Sequence, residues 1–221
     1  MKRTRLRDRI LPTYTRGEER WNMISHIVGG GLGVLTLICC LYRSWGDGWG
    51  MTASLIYGIS FIQLYTISSV YHGLKPGMAK RVLQVIDHCT IYLFIAGTYT
   101  PVMLCALRPV HPAWAWSILG AVWGIALLAI VLNAIDLKKF KIFSMICYIG
   151  MGWCVIVGIK PVMEVVPAAG LWFLVLGGVA YTIGAVLYGM GGKKRYMHSV
   201  FHLFVVAGSV LHLIAVLVYA L

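Results

Sequence analysis

Seven long apolar stretches follow one another along the chain, at about residues 21–42, 49–71, 82–107, 113–132, 142–159, 168–190 and 199–221. Each is close to the ~20 residues that a helix needs to cross the hydrocarbon core of a bilayer. Lipid offers no partner to a free backbone N–H or C=O, so each stretch is predicted to be a helix. The polar turns between them are short and carry Gly and Pro signals, at residues 46–48, 75–77, 109–112, 136–141, 160–167 and 191–195. Turns of this length force neighbouring helices to run up and down. The prediction is an all-α membrane protein, a seven-transmembrane-helix bundle, with residues 1–20 as a basic arm and residues 21–221 as one domain. Pro101 falls within the third stretch and is expected to kink it near Gly97–Pro101, because proline removes one helix hydrogen bond. Gly29 and Gly33, and Gly120 and Gly124, form two pairs of small residues four apart that are expected to let helices approach closely.

The order of basic residues orients this bundle. Counted from the N-terminus, the segments outside the apolar stretches hold 7, 1, 3, 1, 3, 1, 3 and 0 Lys and Arg residues. Loops rich in Lys and Arg stay on the cytoplasmic side, which predicts a cytoplasmic N-terminus and an outer C-terminus in a multi-pass protein of the cell's inner (plasma) membrane. Trp45, Trp49, Trp114, Trp116 and Trp172 fall near the low-charge ends, as expected of indole rings at a membrane interface. The seven basic residues of the arm are not followed by a short apolar core and a small-residue cleavage site, so the first stretch is expected to serve as the targeting signal.

Composition agrees. Sixty per cent of the 221 residues are hydrophobic and the mean hydropathy is +0.83, too apolar for a water-soluble domain. The net charge of +12 is scattered over short loops without an aromatic platform, which argues against nucleic acid and for anionic lipid headgroups as partners of the basic loops. The six cysteines lie within apolar stretches and lack metal-site spacing, so they read as small buried apolar residues.

Topology then places the chemistry. Ser68 and His72, four apart, share a helix face at the cytoplasmic end of the second stretch. Asp87 lies in the first turns of the third, and His198 and His202, again four apart, open the seventh. Three imidazoles, a carboxylate and a hydroxyl therefore reach one depth. Ionisable residues at such depth are costly and usually functional. Three neutral imidazoles suit zinc or another late transition metal, with one position open to water. In that reading Asp87 moves the proton and Ser68 supports the water or a developing oxyanion. A purely structural polar network, with Asp87 paired to Lys80, is the competing reading.

The remaining polar residues read more plainly. His26 is expected to be a satisfied interface residue before a partner of the ligands. His88 points about 100° from Asp87 on a helix, away from that face. His111 and His212 read as structural, His212 being roughly 15 Å beyond His202. Glu18 and Glu19 read as a cap or as partners of Arg16 and Arg20.

With these residues in view, the chain resembles the hemolysin III family, the bacterial branch of the progestin and adipoQ receptor group. The likeness runs from about Gly17 to the C-terminus and rests on four ordered blocks: GEERWNMISHIVGGG, SSVYHGL, IDHCTIYLFIAGTYTP and HSVFHLFVVAGSVLH. It implies a zinc ion near the cytoplasmic leaflet held by His72, His198 and His202, with Asp87 and Ser68 around its water. The motifs are similar to those of alkaline ceramidases, which cleave lipid amides, and the family's name and context imply hemolysis and membrane-fluidity homeostasis. The expected function is a zinc-dependent hydrolase of a lipid amide or ester, with a membrane lipid as substrate or ligand. The alternative is a non-enzymatic lipid sensor with structural zinc. A pore-forming cytolysin or a metal transporter fits less well, because the polar residues crowd at one end.

Overall fold

Thr15 opens the first helix by a reciprocal cap. Its hydroxyl accepts from the Glu18 amide at 3.2 Å, and the Glu18 carboxylate accepts from the Thr15 amide at 2.8 Å. The computed structural model describes residues 4–190 and 194–221. Among them the helices are α1 (Arg16–Arg43), α2 (Gly48–Gly73), α3 (Met78–Pro101), α4 (Pro112–Asp136), α5 (Lys141–Gly152), α6 (Ile159–Val165), α7 (Ala168–Met190) and α8 (Met197–Ala215), and no strand occurs. Residues 191–193 of the last predicted turn lie outside the described residues. Seven helical segments are long and apolar enough to cross a membrane, with α5 and α6 together forming the fifth. The protein is a multi-pass membrane protein with an all-α seven-span bundle.

α1 packs chiefly on α2, α2 on α3, α3 on α4 and α7 on α8, while α8 returns to α1 and closes the bundle. α3 is the most enclosed span, with 67% of its most apolar window buried. Tyr57, Phe61 and Tyr65 of α2 meet Phe94 of α3 in an aromatic core. The outward faces are apolar instead of charged. Ile24, Val28, Leu35 and Ile38 of α1 are exposed at helical spacing, a surface suited to lipid and not to water.

Several boundaries differ from the sequence reading. The irregularity expected near Gly97–Pro101 is found immediately after it. The chain continues through Val102–Leu107 with wider turns, and the Arg108 amide donates to the Met103 carbonyl five residues back at 2.9 Å. Such a wide turn accommodates the hydrogen bond that proline cannot make. The fifth span is interrupted after Gly152 and resumes at Ile159, so that residues 160–165, expected as a turn, are helical. The break is patched from α3: the Tyr99 hydroxyl donates to the Gly152 carbonyl and accepts from the Val155 amide, both at 3.0 Å. Irregular backbone survives within a membrane where protein groups satisfy it.

The two glycine pairs part company. A Cβ on Gly29 would overlap the Tyr65 ring, and one on Gly33 would press on the backbone of Ile62 at 3.1 Å. Here α1 and α2 meet closely, as expected. Gly120 and Gly124 of α4 face open space with nothing within 4 Å. Spacing alone suggested a contact there, but no helix packs on that side. Trp45, Trp49, Trp114, Trp116 and Trp172 are all exposed at the low-charge end, and the Arg108 guanidinium lies 4.4 Å above the Trp49 ring. The six cysteines are free.

Candidate metal centre

α1, α2, α3 and α8 converge at the end of the bundle that carries the basic loops. One face of α1 presents Glu19, Asn22 and His26, three and four residues apart, with Ser25 beside them. The last turn of α2 brings His72, and the first turns of α8 bring His198 and His202. His72 and His202 are buried and His198 is half-buried.

The imidazoles meet through one kind of atom. Nε2 of His198 lies 3.4 Å from Nε2 of His72 and 3.1 Å from Nε2 of His202. The three ligand atoms lie within 4.8 Å of one another. A tetrahedron with metal–nitrogen bonds of ~2.0–2.1 Å has edges of about 3.3 Å, close to the 3.4 and 3.1 Å separations seen here. On His72 and His202 the opposite ring atom faces protein acceptors. His72 Nδ1 is 2.7 Å from Glu19 Oε2, and His202 Nδ1 is 3.3 Å from the Asn22 carbonyl and 3.4 Å from Ser25 Oγ. Protons on the Nδ1 atoms leave Nε2 lone pairs pointing inward, the arrangement that a metal requires. His72, His198 and His202 could therefore hold a metal ion.

The surroundings fix this geometry. Asn22, fully buried, accepts from Ser199 Oγ at 2.6 Å and so ties α1 to α8. Glu18 adds a second tie by accepting from the Tyr196 amide at 2.8 Å. Glu19 pairs with neither Arg16 nor Arg20. It receives Lys80 Nζ at 2.6 Å on the oxygen that His72 leaves free, so Lys80 is committed to Glu19 and not to Asp87. The α1 spacing of Glu19, Asn22 and His26 was the available signal for this inward face, because an acidic residue on the same stripe as buried polar groups faces the core.

His26 also departs from expectation. It is buried, stacks on His202 with centroids 3.7 Å apart and planes at 15°, and neither ring nitrogen has a hydrogen-bond partner. It is a packing wall for the His202 imidazole and not a satisfied interface residue.

Asp87 and Ser68 stand on the wall of a cavity of about 160 Å³ shared with His26, His198 and His202. His88 Nδ1 is 3.7 Å from the Asp87 carboxylate. The volume far exceeds the roughly 10–15 Å³ that one water needs. Away from these polar groups the wall turns apolar, through Ile91, Phe94, Ile95, Phe201 and Val205. His88 was expected on another face, yet it lines this cavity. Its Nδ1 donates to the Gln84 carbonyl at 2.8 Å and its Nε2 faces the Tyr188 hydroxyl at 3.2 Å. The 100° between neighbours on a helix is small enough for both to border one wide cavity. His212 lies at the far end, donating to the Leu174 carbonyl at 3.0 Å, and His111 pairs with Glu164 at 2.7 Å.

The N-terminal arm crosses the mouth of the site. The Thr4 amide donates to Asp136 at 2.7 Å and Arg81 donates to the Arg9 carbonyl at 3.1 Å. Farther along, the Tyr14 ring stacks on His198 with centroids 5.0 Å apart. Burial, with the neighbouring Tyr188, Glu19 and Asp87, pushes the Tyr14 hydroxyl above its ordinary pKa, so it stays a neutral donor. The arm's sequence gave no sign of this contact beyond the single aromatic in a basic run.

Comparison with known proteins agrees with this architecture. A family described as "Haemolysin-III related" matches residues 14–213. The chain is 35% identical over 206 residues to Hemolysin-3 of Bacillus cereus, covering 92% of each chain. It is 34% identical to the Hemolysin-3 homolog of Bacillus subtilis (strain 168), covering 93% of this chain and 96% of the relative. The human Monocyte to macrophage differentiation factor is 28% identical over 187 residues, 80% of this chain and 74% of that protein. Matches of this length, over a fold and a histidine cluster that agree with the sequence blocks, make the chain a member of the haemolysin III-related family of integral membrane proteins.

Proposed function

We propose that the protein is a zinc-dependent hydrolase of a membrane lipid amide or ester, with His72, His198 and His202 as ligands and Asp87 and Ser68 as catalytic residues. The observation that carries this reading is a cavity that two of the three clustered imidazoles, His198 and His202, line together with Asp87 and Ser68, and whose remaining wall is largely apolar. An all-imidazole donor set suits zinc better than magnesium or calcium. Zinc, when bound, supplies Lewis acidity that brings the pKa of water to roughly 7.

The chain's own residues divide the remaining work. The apolar wall takes the acyl chain and leaves the carbonyl at the mouth. Asp87 accepts a proton from the attacking water as the new C–O bond forms, then delivers it to the departing nitrogen or oxygen as that bond breaks. Ser68 donates to negative charge that develops on the carbonyl oxygen. In this reading the basic loops lie against anionic lipid headgroups in the cytoplasmic leaflet, and the activity serves membrane lipid and fluidity homeostasis.

The test is metal analysis of the purified protein beside a lipid-product screen. Zinc near one per chain, products from the wild type and none from Asp87→Ala support the hydrolase. Full turnover in metal-free His202→Ala would end it. A second reading, a lipid sensor with structural zinc, draws support from the way the cluster bridges the last turn of α2 and the first of α8. Asp87→Ala separates the two: a sensor keeps its effect on membrane fluidity without this carboxylate, whereas a hydrolase does not.

A further inference from the structure

We infer that Lys80 is a positioning residue for the metal centre, acting through Glu19 on His72. The inference rests on the metal reading above and adds to it a part for a residue that touches neither metal nor substrate.

Lys80 is only 2% exposed although it carries an ammonium group. Burying such a charge is costly unless it is paired and hydrogen-bonded. Its contacts all converge on one corner. Nζ donates to Glu19 Oε1 at 2.6 Å and to the Leu74 carbonyl at 3.0 Å, and it lies 5.0 Å from the Tyr71 ring centroid. Leu74 ends α2 two residues after His72. Lys80, from the start of α3, therefore grips the end of the helix that carries a ligand and the carboxylate that orients that ligand.

The consequence is a choice of partner for each oxygen of Glu19. With Oε1 held by Lys80, Oε2 faces His72 Nδ1 at 2.7 Å. Asn22 Nδ2 also lies 3.4 Å from that nitrogen, but an amide N–H is a donor and cannot accept the imidazole proton. Glu19 is thus the acceptor that keeps the proton on Nδ1 and leaves the Nε2 lone pair toward His198. The Glu19 side chain is 22% exposed, so without Lys80 it is free to turn to water. Loss of a group that orients a ligand imidazole typically weakens metal binding about 10–100-fold.

The test measures zinc affinity of the full-length, detergent-purified protein by competition with a chromophoric chelator, beside the unfolding temperature of the metal-free form. Glu19→Gln and Lys80→Met are each expected to weaken zinc about 10–100-fold. The double variant should bind within about twofold of Glu19→Gln alone, because residues acting in series are not additive. Lys80→Arg, which keeps the charge and two donors, should restore most of the affinity. These changes should not track the metal-free unfolding temperature, as a merely structural pair would require. Wild-type affinity in Glu19→Gln and Lys80→Met overturns the inference, as does a double variant whose loss is the product of the two single losses. If Lys80→Met does not fold, Lys80→Gln, which keeps an N–H donor and loses the charge, takes its place, and wild-type zinc affinity in that variant overturns the inference. A wild type that takes up no zinc overturns the metal reading itself, a result that no comparison among the variants can mimic.

Discussion

The two ends of this bundle solve the same problem in opposite ways. At the end with the basic loops, buried polar side chains are bonded chiefly to one another. Lys80 meets Glu19, Glu19 meets His72, Asn22 meets Ser199, and the three Nε2 atoms turn toward a common point. At the low-charge end, polar side chains serve the backbone or the interface. Tyr99 repairs the break in the fifth span, His212 caps the Leu174 carbonyl, and five tryptophans sit exposed. Histidine is thus not itself the mark of a site. His111 pairs with an exposed glutamate, and His212 satisfies a carbonyl. His72 and His202 at the other end differ because their acceptors lie behind them, on Nδ1, and leave Nε2 turned toward the cluster.

The sharpest way to break this contrast is to remove one histidine from each end. His202→Ala is expected to reduce metal affinity by more than 100-fold, beyond the ~10–100-fold typical of an orienting group, while His111→Ala leaves metal content unchanged. Elemental analysis and chelator competition measure both. Asp87→Ala should lower lipid turnover about 10²–10⁴-fold, the usual worth of a general acid–base group, with zinc retained. Loss of zinc in that variant would move Asp87 from chemistry to structure. Within the packing, Gly29→Val should cost about 1–3 kcal/mol by overpacking against Tyr65, and Gly120→Val should stay within about 0.5 kcal/mol. Unfolding curves of the two variants under one detergent condition test that difference, and equal losses would refute it. Tyr99→Phe should cost about 1–2 kcal/mol by leaving the Val155 amide and the Gly152 carbonyl unpaired, a shift readable in the melting temperature without change in bound metal.

Much of this was legible in the chain. The seven spans, the tryptophan belt and the common depth of Ser68, His72, Asp87, His198 and His202 follow from local hydropathy and from the order of basic residues. Pro101 marked an irregularity, which the structure shows as wide turns through Val102–Leu107. What the chain hid were contacts between residues far apart. Glu19 and Lys80 are separated by 61 positions, and each has nearer charges that sequence alone would pair it with. His26 looked like an interface residue because nothing in the sequence says that its nitrogens lack partners or that His202 stacks on it. Gly120 and Gly124 carried the same signal as Gly29 and Gly33, yet only one pair faces a neighbour.

The division has a physical cause. A stretch of about 20 apolar residues has one low-energy form in lipid, since only a helix satisfies its own backbone, so the sequence alone determined how many times the chain crosses and how deep each residue sits. It did not determine how each helix is turned about its own axis or which helices stand side by side. Those depend on close packing summed over many distant residues. Only the tertiary structure decided that three imidazoles present the same nitrogen to one point, with a buried lysine and a half-buried glutamate behind them.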